Sequence, residues 1–130
     1  MANDMAFIDY LWQYWCVPGY EDKAHIEQLK ACLRQDGVLH TALAYYRAMF
    51  DISKADPALL TLREAMHRNI TVPTLALCGA DDMRAELMRE QEKYFEGPYT
   101  YKEVPYAGHF LHREQSSVVS NLLLDWLSNS

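Results

Sequence analysis

The sequence lacks any long hydrophobic run: no stretch approaches the roughly 18 apolar residues that a membrane span requires. It also lacks a basic leader, because Met1 to Trp15 carries acidic rather than basic residues and no small-residue cleavage site follows. Positive charge is scarce. Twelve Lys and Arg stand against 18 Asp and Glu, a net charge of −6, whereas phosphate binding needs clustered cations, so no nucleic-acid partner is expected. Cysteine is scarce too. Cys16, Cys32 and Cys78 are odd in number and widely spaced, which predicts small buried hydrophobes rather than thiol nucleophiles or ligands. No His, Cys, Asp and Glu cluster has metal-ligand spacing, and neither a metal nor another cofactor is expected. Repeats and low-complexity tracts are absent. These absences predict a cytoplasmic protein with no membrane and no nucleic acid among its partners.

What is present is a chain of 130 residues, half of them apolar and 23% charged, the size and balance of a globular domain. The first half reads as helices. Asn3 or Asp4 is placed to cap a stretch through Trp15 that is rich in aromatics, and Pro18-Gly19 breaks it. A second helix over about 21–35 puts Ile26, Leu29, Cys32 and Leu33 on one face and stops before Gly37. A third, over about 38–50, carries Leu39, Ala42, Leu43, Tyr46, Met49 and Phe50 at helical spacing. Asp56-Pro57 predicts an N-cap and first turn for a fourth helix reaching Arg68.

The character changes at Ile70. Thr71 to Cys78 is a nearly continuous apolar run closed by Gly79, the pattern of a buried strand. A helix over 83–95 and a second strand over 99–104 follow. A last helix over about 114–127 presents Val118, Val119, Leu122, Leu123, Trp126 and Leu127. The fold class is thus α/β, a helical segment over 1–69 followed by a β-α-β-α unit over 70–130, its two strands parallel. Two parallel strands do not make a stable sheet alone, and the apolar strand keeps an open edge. The pattern predicts completion from elsewhere, by self-association or by further strands.

Two loops carry the chemistry. Gly79-Ala80-Asp81-Asp82 follows the first strand, and Ala107-Gly108-His109-Phe110 follows the second. Functional groups gather at the carboxyl ends of parallel strands, so an Asp and a His on adjacent strand ends can meet. The carboxylate would orient the imidazole and the imidazole would act as general base. The same Asp is equally suited to capping the helix that follows.

Ile70-Thr71-Val72-Pro73-Thr74-Leu75-Ala76-Leu77-Cys78-Gly79-Ala80-Asp81-Asp82 resembles the acid strand and loop of α/β-hydrolases. Val104-Pro105-Tyr106-Ala107-Gly108-His109-Phe110-Leu111-His112-Arg113-Glu114 resembles the histidine loop of the same family, in its epoxide hydrolase and haloalkane dehalogenase branch. The resemblance implies Asp82, rather than Asp81, as the triad acid and His109 as the base. It implies a helical lid over 1–69, in which Ala44-Tyr45-Tyr46-Arg47-Ala48-Met49-Phe50 is similar to a "W-Y-R" segment. Tyr46 would there donate to an epoxide oxygen, or simply pack on its apolar stripe while Arg47 snorkels. The Leu11-Trp12-Gln13-Tyr14-Trp15 opening is similar to the start of such a lid. His112 and Glu114 are expected to cap and orient the last helix, Met83, Leu87 and Met88 to pack on their helix or else border a pocket, and His25, His40 and His67 to have no role.

The family's nucleophile elbow is not in this sequence: neither Gly-x-Ser-x-Gly nor Gly-x-Asp-x-Gly occurs. Two readings follow. The chain is the C-terminal portion of an epoxide-hydrolase-like enzyme, inactive alone, that meets a small-molecule substrate once a nucleophile-bearing half completes it. Alternatively it is a truncated, non-catalytic remnant that folds as a self-associating dimer.

Overall fold

The computed structural model describes residues 2–51, 53 and 56–129. The chain forms two compact units, one of Met1–Glu21 with Asn69–Ser130 and the other of Asp22–Arg68. The opening residues, which the sequence groups with the lid, fold with the strands.

In the first unit a 3-10 turn, Ala2–Met5, leads into α1, Ala6–Trp15. Met5, left-handed at φ 61°, is the N-cap residue, rather than the expected Asn3 or Asp4. Phe7, Tyr10 and Tyr14 stack along its exposed side while Trp12 turns inward and is buried.

Strand β1, Thr74–Gly79, pairs in parallel with β2, Tyr99–Val104, in a two-stranded sheet running from Thr74↔Tyr99 to Gly79↔Val104. β1 starts three residues later than the Thr71 expected from sequence. Pro73 has no N–H to give a ladder, and Ile70 before it makes its own isolated parallel bridge to Phe95. The helix expected over 83–95 is divided at Glu90, and the bridge lies at its far end. Only α5, Ala85–Arg89, is α-helical, and a 3-10 turn, Gln91–Tyr94, follows. Ile70 N–H donates to the Tyr94 carbonyl and Glu96 N–H to that of Ile70, which draws the chain out of the helix. The last helix is divided too, into α6, Leu111–Glu114, and α7, Ser116–Asn129.

Side chains alternate across a strand, so Leu77 and Val104 share one face of the sheet. They meet the inner face of α7 there, in a core of Val104, Ala107 and Val119 with Leu77, Leu111 and Leu122 packed around it. The outer side of α7 differs from expectation: Val118, Leu123 and Leu127 are exposed.

In the second unit α2, Lys23–Leu33, and α3, Val38–Phe50, form a helical hairpin that turns at Gly37. There φ is 76°, a left-handed conformation that suits glycine. Asp56 Oδ1 accepts the Ala58 N–H at 2.9 Å and caps the turn Pro57–Leu59, from which α4, Leu60–Ala65, continues. α3 buries none of its residues fully, and Leu43, Met49 and Phe50 of the expected stripe are exposed. Of the cysteines, Cys16 and Cys78 are buried as expected, but Cys32 is exposed, turned to the outer side of its helix. Among the described residues no helix is long and apolar enough to cross a membrane.

Candidate functional site

The ends of β1 and β2 are laced together by backbone. Ala80 N–H donates to the Val104 carbonyl at 2.9 Å, and Asp81 N–H to that of Ala107 at 3.0 Å. Such close passage requires glycine at the strand end. A Cβ on Gly79 would lie 2.2 Å from the carbonyl oxygens of both Ala107 and Gly108.

Asp82 sits just beyond, and its two carboxylate oxygens do different work. Oδ1 accepts the Arg84 N–H at 2.9 Å, closing the turn into α5. Oδ2 lies 2.9 Å from Nδ1 of His109. One carboxylate thus meets both the turn before α5 and the imidazole, although the N-cap residue of α5 is Arg84. The Asp82 side chain is only 8% exposed, against 37% for His109. A buried acceptor therefore anchors an imidazole that reaches solvent. An Nδ1–H donated to the carboxylate leaves Nε2 with its lone pair, the form in which an imidazole serves as a base.

The imidazole is enclosed from the opening segment. Its ring centroid lies 5.0 Å from that of Trp15 and 5.5 Å from that of Phe110. Phe110 in turn stacks on Trp12 at 4.2 Å. His109 N–H donates to the Trp15 carbonyl at 2.8 Å. Gly108 makes this approach possible, since a Cβ there would lie 2.4 Å from the same oxygen.

Glu114 occupies a place the sequence did not disclose. Its Oε2 accepts the N–H groups of Val17, at 2.8 Å, and Gly108, at 3.0 Å, while Oε1 accepts that of Phe110 at 3.0 Å. It braces the histidine loop, and the Phe110 N–H that it accepts belongs to the N-cap residue of α6. Val17 and Glu114 are 97 positions apart, so no local signal reports their contact. The Trp15–His109 contact is equally remote in sequence.

The remaining candidates are dispersed. Tyr46 is on α3 in the second unit, 54% exposed, where its ring meets Tyr45 edge-on. His112 is exposed near the Phe110 ring. Asp81 engages the loop through its backbone N–H. Met83 and Leu87 are exposed rather than packed, and Met88 is half-buried. His25, His40 and His67 belong to the second unit.

On the opposite face of the sheet, Arg89 and the Tyr101 hydroxyl both donate to Glu103 Oε1. The Arg89 bond, and then that of Tyr101, hold the Glu103 carboxyl below its ordinary range. Burial first, and the bond to Glu103 second, push the Tyr101 phenol up. Cys78 lies beneath them. Burial, and then the charge of Asp82, raise its thiol, the reverse of what a thiolate nucleophile needs. Among the described residues no group of three or more His, Cys, Asp and Glu is placed to hold a metal ion.

The sequence matches no protein-family model and no curated protein. The structure does have counterparts. Cfl2 from Burkholderia cenocepacia superposes with a TM-score of 0.74 and 22% identity, over 93% of this chain and 40% of that one. A serine hydrolase involved in carbazole degradation, the CarC enzyme, superposes with a TM-score of 0.66 and 20% identity, over 95% of this chain and 46% of that one. The chain spans less than half the length of either. At such identity the likeness is one of fold alone, a partial α/β arrangement.

Proposed function

We propose that this chain is the lid and acid–histidine portion of an α/β-hydrolase, with Asp82 as the orienting acid and His109 as the general base. The observation that carries the reading is the 2.9 Å approach of Asp82 Oδ2 to His109 Nδ1, at the ends of adjacent parallel strands. In such an enzyme Nε2 takes a proton from water as that water attacks a covalent intermediate. Asp82 holds the imidazole in register and stabilises the imidazolium that forms.

The nucleophile and oxyanion hole, the two largest contributors to this kind of catalysis, are supplied by a completing half. The chain by itself is therefore expected to turn over little. Tyr46 favours an epoxide substrate, because a phenol can donate to a developing alkoxide. The CarC neighbour is described as a serine hydrolase, which keeps ester substrates in the comparison.

Incubation with epoxide and aryl ester substrates, beside a His109→Gln control, tests the reading. Little turnover is expected from the chain alone. An in-frame Gly-x-Asp-x-Gly or Gly-x-Ser-x-Gly upstream in the coding sequence, expressed with the chain, should restore turnover that the control abolishes. Equal turnover with His109→Gln would contradict the assignment.

A second reading is favoured by one feature. Among the described residues β1 has a paired neighbour on one side only, and Val118, Leu123, Leu124 and Leu127 face outward from α7. Pairing of two copies would cover that edge and extend the sheet. Light scattering tests it: a stable, well-folded monomer removes the motive for a non-catalytic dimer.

A further inference from the structure

We infer that Glu114 is a positioning residue for His109, locking the histidine loop to the exit of α1 so that the imidazole stays against Asp82. The inference rests on the Asp82–His109 reading above and adds the means by which the loop is held.

Three successive N–H groups of the loop are all committed. Those of Gly108 and Phe110 go to Glu114, and that of His109, between them, goes to the Trp15 carbonyl. Glu114 also takes the Val17 N–H, so one carboxylate joins the loop to the same opening segment that supplies Trp15. Backbone N–H bonds to an ionised carboxylate are stronger than neutral ones, and a carboxylate is acceptor-only, with lone pairs enough for all three donors. This gives the backbone on both sides of His109 a fixed place without any contact to the imidazole itself.

The geometry makes glutamine a sharp probe. Oε2 accepts two of the N–H groups and Oε1 the third. Glutamine has one oxygen and one NH2. With its oxygen at the first position, Phe110 N–H faces a donor; with its oxygen at the second, Val17 and Gly108 do. Neither orientation satisfies the set, so Glu114→Gln must release part of the loop while leaving side-chain volume nearly unchanged.

The test reads the ring nitrogens of His109 by long-range proton–nitrogen correlation on the full chain, labelled at histidine. Spectra are taken at about pH 9, above the ordinary histidine range. The His109→Gln spectrum assigns the signal among the five histidines. Wild type is expected to show a protonated Nδ1 and a bare Nε2. Glu114→Gln is expected to lose that separation and give the averaged pair of a mobile ring. Leu122→Ala, which loosens the same core elsewhere, is expected to keep it.

A wild-type pattern retained in Glu114→Gln overturns the inference and leaves the Asp82–His109 reading intact. Loss of the pattern in Leu122→Ala as well also overturns it, because general loosening would then be sufficient. A wild type without the Nδ1–H form overturns both. If Glu114→Gln does not fold, Val17→Pro takes its place. It removes the Val17 N–H donor and follows Cys16, which is already extended at φ −89° and ψ 163°. Retention of the wild-type pattern in that variant overturns the tie to the opening segment, and with it the inference as stated.

Discussion

Gly79 lies so close to Ala107 that a methyl group at 79 would stand 2.2 Å from the Ala107 carbonyl oxygen. Both are backbone positions in the lacing between the acid and histidine loops, where Asp81 N–H donates to that same oxygen. No flexible side chain is available to move aside. Gly79→Ala is therefore expected to cost about 3 kcal/mol or more, at the upper end of overpacking effects. Urea unfolding of the variant measures this. A loss near zero would show that the strand ends have more room than the structure gives them.

A second expectation concerns the opening helix. Trp12 is 6% exposed and stacks on Phe110 at 4.2 Å, although the two are far apart in sequence. Trp12→Ala should destabilise the strand-bearing unit by about 3–5 kcal/mol, as for other buried aromatic truncations. If α1 were instead part of an independent lid, unfolding of the strand unit followed by Phe110-side probes would be unchanged.

A third expectation concerns pH. The Glu103 carboxyl is lowered below its ordinary 4.5, chiefly by the Arg89 guanidinium. A lowered carboxyl stabilises the fold above the unfolded value and loses that contribution as pH falls through the folded one. The stability difference between wild type and Glu103→Gln should thus be present at neutral pH and fade below about 4.5. At the other extreme, burial raises the Tyr101 phenol above its ordinary 10, so stability should fall as pH climbs past that value. Tyr101→Phe should lessen the alkaline fall. Denaturant midpoints across pH provide the check, and parallel curves for wild type and variants would contradict it.

Much of this fold is legible in local pattern. α3 and β2 take the ranges the sequence predicts, because Gly37 and the Gly97-Pro98 break act on the chain directly. The Asp56 cap forms as its residue type dictates. Asp82 and His109 are brought together because parallel pairing aligns the strand ends, a consequence of topology rather than of any one residue. Departures arise where distant backbone intervenes. Ile70 ends the helical run at Tyr94, and Glu114 reaches Val17 across 97 positions. The outer face of α7 and the stripe on α3 are apolar in sequence, but Leu127 and Phe50 stay largely exposed. Periodicity reports that a face is apolar; it does not say what will lie on it.

In the proposed site the carboxylate at 82 sets which nitrogen of the imidazole carries the proton. Arg84 N–H holds Oδ1, so in Asp82→Asn the amide oxygen should remain there and the NH2 should take the position of Oδ2. A donor would then face Nδ1, and neutral His109 should change from the Nδ1–H to the Nε2–H form. Nitrogen spectra of the two proteins decide the matter: exchange of the protonated site between them is the predicted result, and the same protonated nitrogen in both would contradict the account.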